Sequence, residues 1–260
     1  MRPNHVKQKL QSGGTAIGTM MFEFSSPGAA QATAMAGADF ALFDMEHTGW
    51  SFETIKNLII ATRGTSMIPM VRIPAAEYHF IARVLDVGAM GVMVPMVECV
   101  EQAQLFARCA KYPPVGRRGC AFGIAHDEYA GGDVVAKMHS SNDEVMLIAQ
   151  IETAAGVEHV EEIAAVEGID VLWIGQFDLS ASLGIPGQFT HPTFVAAVDR
   201  VMAACRAHNK VGAFMTTTPE FGEWVVSKGF KMLAWSGDIW VYQSALRSGM
   251  NSLREMLAKV

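Results

Sequence analysis

The sequence predicts an α/β protein folded as a (β/α)8 TIM barrel, in one domain over residues 1–260. Three observations carry the prediction. Eight short runs rich in Val, Ile, Met and Phe recur along the chain, separated by longer stretches with helical spacing. Most of these runs are continuously apolar rather than alternating, as parallel strands covered on both faces require. The chain also has the length of a single barrel, typically ~250 residues.

The strand candidates are residues 16–22, 40–44, 67–72, 91–95, 145–152, 171–175, 211–216 and 232–235. The helix before each even-numbered strand ends on a glycine, at Gly37, Gly88, Gly168 and Gly229. Glycine past a helix end takes the left-handed conformation that other residues resist. An open α/β sheet would use the same device, so the glycines support the alternation and not the closure. Thr218-Pro219-Glu220 reads as a helix N-cap with proline in the first turn. Residues 113–142 are too many for a plain loop and predict an insertion carrying extra helix over one barrel face. Residues 238–260 form a helical segment with Ile239, Trp240, Val241, Leu246, Met250, Leu253, Met256 and Leu257, more apolar surface than one outer helix needs. A subunit interface is expected there, the alternative being a terminal helix folded onto its own barrel.

Net charge is −6, from 20 basic and 26 acidic residues, with no basic cluster larger than Arg117-Arg118. Neither nucleic acid nor a membrane is therefore an expected partner. Cys99, Cys109, Cys120 and Cys205 form no C-x-x-C pair, and the first residues lack the apolar core of a signal peptide. A cytoplasmic location is the expectation.

In a barrel, reactive groups belong at the C-terminal ends of the strands. Those ends carry Asp44, Glu46 and His47 after strand two, Arg72 closing strand three, Gln150 and Glu152 on strand five, Asp178 after strand six and Asp238 after strand eight. Gln150 and Glu152 are two apart, so they share a face. No lysine falls at a strand end, which argues against Schiff-base chemistry. Glu152 and Asp178 could hold a hard divalent cation, and Arg72 suits an anionic substrate or a developing enolate. Asp44, three residues before His47, could orient the imidazole as a general base. Plainer roles stand beside these: a helix N-cap for Asp178, a structural histidine at position 47, and a loop-bridging Arg72. Cys120, His126 and His139 in the insertion read as structural.

Six segments, taken in order, resemble one family. Phe43-Asp-Met-Glu-His47, Val71-Arg-Ile-Pro74, Gly91-Val-Met-Val-Pro-Met96, Pro113-Pro-Val-Gly-Arg-Arg-Gly119, Gln150-Ile-Glu-Thr153 and Gly175-Gln-Phe-Asp-Leu-Ser180 are similar to the HpcH/HpaI class II pyruvate aldolases, over about residues 18–238. The resemblance implies a barrel of the phosphoenolpyruvate/pyruvate type and a homo-oligomer, a hexamer built as a trimer of dimers. It implies reversible cleavage of a 4-hydroxy-2-oxo acid to pyruvate and an aldehyde, with a pyruvate or hydroxypyruvate-like donor and a divalent cation (Mg²⁺, Mn²⁺ or Co²⁺). By resemblance, Glu152 and Asp178 bind the metal, Arg72 meets the keto or enolate oxygen, and His47 with Asp44 forms the acid/base dyad. Gln150 lies beside the metal, and the backbone of Gly175, Gln176, Phe177 and Asp178 holds the pyruvate carboxylate. Asp86 takes an entrance position near a neighbouring subunit, and Met21, Thr216 and Trp235 border the aldehyde acceptor pocket. Gln176 departs from the Gly-Pro that many relatives carry there. A CoA-ester lyase of the citrate-lyase type is the alternative enzyme, though that branch typically has Asp-x-Glu-Asp where this chain has Asp44-Met-Glu-His47. A non-catalytic scaffold would be expected to have lost one of Arg72, Glu152 or Asp178.

Overall fold

A computed structural model describes residues 2–259, so Met1 and Val260, the ends of the predicted domain and interface segment, lie outside the described residues. Eight parallel strands close into a barrel in sequence order: β1 (Ala16–Met21), β2 (Phe40–Asp44), β3 (Ile68–Arg72), β4 (Gly91–Val94), β5 (Met146–Ile151), β6 (Val171–Ile174), β7 (Val211–Thr216) and β8 (Met232–Gly237). The helices are α1 (His5–Gln11), α2 (Pro27–Met35), α3 (Phe52–Ala61), α4 (Tyr78–Asp86), α5 (Val100–Ala110), α6 (Val134–Glu144), α7 (Ala154–Glu158), α8 (Val160–Ala165), α9 (Gln176–Ser182), α10 (Pro192–Ala207), α11 (Pro219–Ser227) and α12 (Asp238–Leu257). Among the described residues no helix is long and apolar enough to cross a membrane.

The four glycines ahead of the even strands all adopt positive φ, from +92° to +109°. At these positions an L side chain would be strained, so the glycines set where each helix turns back into the barrel. The predicted cap also forms, with Thr218 Oγ1 accepting the Phe221 N–H at 3.2 Å.

Along each strand, alternate residues divide between two cores, as a pleat of period two requires. Phe40, Leu42, Ile68, Met70, Met93, Met146, Ile148, Trp173, Met215 and Met232 fill the barrel interior. Ala41, Phe43, Val71, Leu147, Ile151, Leu172 and Phe214 face the surrounding helices. The interior is rich in methionine, whose unbranched side chain fills irregular gaps. Helix α1 plugs the N-terminal end of the barrel with Val6 and Leu10. Asn4 Nδ2 ties this plug to the carbonyls of Met90 and Glu144 at 3.0 and 2.9 Å. One end of the barrel is thereby sealed, leaving the other for chemistry.

Residues 111–133 hold one short 3-10 turn, Ala125–Asp127, before α6. The segment packs along α4 and the N-terminal end of the barrel rather than over the open mouth. The Ala125 carbonyl accepts from Arg63, and buried Arg118 pairs with Asp86 at 2.6 Å. His126 lies buried against Tyr112 and Phe122, and burial lowers its pKa to about 4.

Candidate active site

The C-terminal ends of β2, β3 and β5 bring the central residues together through register. Asp44 on β2 is the direct neighbour of Arg72 on β3. Both continue the inward parity of Phe40-Leu42 and Ile68-Met70, so both side chains point into the mouth. Arg72 Nε donates to Asp44 Oδ1 at 2.6 Å, and its Nη1 lies 3.2 Å from Glu46 Oε2. Asp44 is fully buried and Arg72 nearly so, which makes this ion pair a desolvated one that neither partner can lose cheaply.

The expected Asp44–His47 dyad does not form. Asp44 Oδ2 accepts the backbone N–H of His47 at 2.9 Å, and Oδ1 accepts that of Glu46 at 3.2 Å, so the carboxylate caps its own turn while holding Arg72. The His47 imidazole is 58% exposed, and the carboxylate paired with it is that of Glu46, with Nε2 to Oε2 at 3.8 Å. Glu46, which the sequence places at this strand end without a role, is therefore a site residue. Burial raises its pKa, with Arg72 and His47 opposing the rise and Asp44 and Asp178 adding to it.

Glu152, 2% exposed, directly follows β5. Its Oε1 accepts the Met96 N–H at 2.7 Å, and its Oε2 accepts from Gln150 Nε2 at 2.6 Å. Burial pushes its pKa up to about 7, against the Met96 hydrogen bond and with repulsion from Glu46 and Asp178 adding to the rise. Gly175 makes room for this group, since a Cβ there would stand 2.2 Å from Glu152 Oε2 and 2.7 Å from Gln150 Nε2. Asp178 is exposed, and it is not the helix N-cap. Gly175 caps α9, and Asp178 is the third helical residue.

These groups suit a hard divalent cation. The donors are all oxygens, and one buried oxygen, Gln150 Oε1, has neither a hydrogen-bond partner nor an ion pair. Among the described residues, no three His, Cys, Asp or Glu groups already converge at metal-ligating separations. A small hard ion needs only one or two carboxylates, because waters and substrate oxygens complete its shell. Glu152 and Asp178 are the pair that would hold it.

Other expected site residues fall elsewhere. Met21 lies in the outer core, where its sulfur accepts from Thr33. A register shift between Gly18 and Met20 precedes it, and it is Phe22 that lies 5.8 Å from the Arg72 guanidinium. Thr216 has the same wrong parity. It is buried, and its Oγ1 donates to the Thr218 carbonyl at 2.9 Å, leaving Thr217 at the mouth. Asp86 ends α4, at the barrel end opposite the mouth of its own chain, and is paired with Arg118. The Gln176 side chain is spent on the Met215 carbonyl at 3.2 Å, and the adjoining Phe177 ring stays exposed. Trp235 does reach the mouth, lining a cavity together with Phe177 and Thr217. Asp238 anchors the loop after β1, its carboxylate accepting the N–H groups of Phe22, Glu23 and Phe24 at 2.9, 3.1 and 2.8 Å.

The chain as a whole is similar to known proteins. The chain is 31% identical over 243 residues to the 5-keto-4-deoxy-D-glucarate aldolase of Escherichia coli (strain K12), covering 94% of each. It is 32% identical to the hydroxypyruvate/pyruvate aldolase of Roseobacter denitrificans, covering 91% of each. The crystal structure of an HpcH/HpaI aldolase from Desulfitobacterium hafniense DCB-2 superposes with a TM-score of 0.92 at 33% identity, covering 96% of both chains. Residues 19–244 match the family described as HpcH/HpaI aldolase/citrate lyase. With the closed barrel and its carboxylate-lined mouth, these matches make the chain a member of the HpcH/HpaI aldolase/citrate lyase family of carbon–carbon lyases.

Proposed function

We propose that the chain reversibly cleaves a 4-hydroxy-2-oxo acid to pyruvate, or a hydroxypyruvate-like donor, and an aldehyde. A divalent cation, Mg²⁺, Mn²⁺ or Co²⁺, would be held by Glu152 and Asp178. One observation carries this reading: Arg72 meets Asp44 and Glu46 at a mouth that also holds Glu152 and a Gln150 oxygen with no partner. Lys7, Lys111, Lys210 and Lys231 bond carbonyls at the opposite end of the barrel, where no Schiff base could serve this site.

In cleavage, a base takes the proton of the C4 hydroxyl, the C3–C4 bond breaks, and its electron pair moves onto the C2 oxygen. The enolate then takes up a proton at C3 to give pyruvate. The cation, when bound, supplies Lewis acidity at the keto oxygen. Arg72, with Nε and Nη1 engaged by Asp44 and Glu46, presents Nη2 to the oxygen on which charge grows. His47, exposed and beside Glu46, is placed to exchange the hydroxyl proton. Backbone N–H groups between Gly175 and Asp178 receive the pyruvate carboxylate, with Gln150 steadying Glu152.

Pyruvate release from 4-hydroxy-2-oxopentanoate is expected to stop after exhaustive EDTA treatment and to return with Mn²⁺ or Mg²⁺. Activity that survives chelation, together with borohydride trapping of pyruvate on the protein, would overturn the reading.

Assembly belongs to the same proposal. No residue of α12 is buried, and Leu246, Met250, Leu253 and Leu257 align at helical spacing with exposures of 44%, 40%, 61% and 75%. A second copy of the chain would cover this stripe in a dimer or hexamer. Light scattering is expected to give a multiple of the 28.1 kDa chain mass. A monomer at micromolar concentration rules the assembly out.

A further inference from the structure

The charge around the mouth, with an adjoining cavity, says something about the aldehyde. The segments joining each strand to its following helix are residues 22–26, 45–51, 73–77, 95–99, 152–153, 175 and 217–218, while β8 runs directly into α12. They contain Glu23, Glu46, Glu77, Glu98 and Glu152, and neither a lysine nor an arginine. The first turns of the following helices also lack both, and they add Glu53, Glu101, Asp178, Glu220 and Asp238. Arg72 is the one arginine at a strand end, and Asp44 and Glu46 already neutralise it. Arg83 and Arg117 lie over the rings of Phe52 and Tyr78.

A cavity of about 680 Å³ opens beside Phe177, one residue from Asp178. Its wall is formed by Phe177, Met215, Thr217, Trp235, Trp240 and small residues of α12, with no charged side chain. Gln176 joins this wall to the site, because its amide holds the Met215 carbonyl. A carboxylate placed here would lose its water and meet no cationic side chain in the wall. An aromatic or aliphatic body would instead bury its surface against rings and a thioether.

Resting on the aldol reading above, we propose that this cavity is the acceptor site and that it selects an uncharged aldehyde with an aromatic or aliphatic body. Aldehydes carrying a carboxylate would be poor acceptors. Thr217, Ser244 and Ser248 leave room for one neutral polar group on the substrate.

The test is pyruvate condensation by the full chain with Mn²⁺ supplied, comparing benzaldehyde and hexanal with glyoxylate and succinic semialdehyde. Deuterium exchange into the pyruvate methyl group, which needs no aldehyde, is read alongside. We expect kcat/KM for the uncharged pair to exceed that for the carboxylated pair by roughly 10–200-fold, the range over which an apolar pocket discriminates. Exposed Thr217, replaced in Thr217→Arg, is expected to narrow or reverse that preference. Exchange with a preference for the carboxylated pair, or with no uncharged aldehyde accepted, overturns the acceptor proposal and leaves the aldol reading standing. An unaltered preference in Thr217→Arg also overturns it, by removing the cavity from the acceptor's path. Loss of exchange in the wild-type protein sinks the aldol reading itself, and this proposal with it.

Discussion

Arg72→Ala is expected to lower both aldol cleavage and pyruvate methyl-proton exchange by ~10²–10³-fold, the usual loss for a preorganised charge at a developing oxyanion. Both steps pass through the same enolate, so one guanidinium at its oxygen serves both. His47→Ala is expected to slow cleavage more than exchange, because its imidazole is placed for the aldehyde hydroxyl rather than for the enolate oxygen. The comparison is deuterium incorporation into pyruvate, followed by NMR, beside the cleavage rate for each variant. Arg72→Ala also strips the partner from fully buried Asp44, a loss typically worth about 3–5 kcal/mol of stability. Arg72→Lys separates the two effects. It restores a positive charge beside Asp44 and Glu46, but not the planar fork that engages both at once. Its fold should recover further than its activity. Normal exchange in Arg72→Ala would remove Arg72 from the enolate step.

Glu152→Gln is expected to stabilise the metal-free protein at neutral and alkaline pH while abolishing its response to divalent cations. The folded chain holds the Glu152 proton up to pH about 7, whereas an ordinary glutamate releases it near 4.5. Between those values the unfolded chain has ionised and the folded one has not. Stability from this group is therefore full below pH 4.5 and is lost as pH rises through 7. At ~1.4 kcal/mol per pKa unit, the loss reaches about 3 kcal/mol. Glutamine does not titrate, and it keeps an oxygen for the Met96 N–H. Its new N–H₂ can face Gln150 Oε1, which now lacks a partner, after a flip of that amide. Differential scanning calorimetry of the EDTA-treated proteins at pH 8 should place the variant roughly 5–10 °C above the parent. Mn²⁺ should raise the melting temperature of the parent alone, with cation affinity falling as pH drops below 7. Equal melting temperatures at pH 8 would show that burial does not destabilise ionised Glu152, and equal stabilisation of both proteins by Mn²⁺ would show that it is not a ligand.

Much of this molecule follows from local rules acting on the sequence. Continuously apolar runs of strand length specify a sheet buried on both faces, and the glycines at 37, 88, 168 and 229 return the chain at positive φ. Period-two parity, counted from Phe40, Ile68 and Met146, already sends Asp44, Arg72, Gln150 and Glu152 to one mouth. The same count places Thr217, and not Thr216, at that mouth. In β1 the inward phase runs from Ala16 through Gly18 to Met20, which leaves Met21 outward, and the tertiary structure adds a register shift against β8.

What only the tertiary structure decided is which groups meet across strands, and at what solvation. Asp44 is three residues from His47 and 28 from Arg72, yet its carboxylate goes to the guanidinium and leaves the imidazole to Glu46. A charged pair with good geometry in a buried site outweighs proximity in sequence. Long-range packing gives Asp86, placed by resemblance at an entrance near a neighbouring subunit, the guanidinium of Arg118, and turns Asp238 after β8 to the backbone that follows β1. Burial does the rest. It raises the pKa of Glu152 and leaves an amide oxygen of Gln150 without a partner, and neither effect is written in the identity or spacing of the residues.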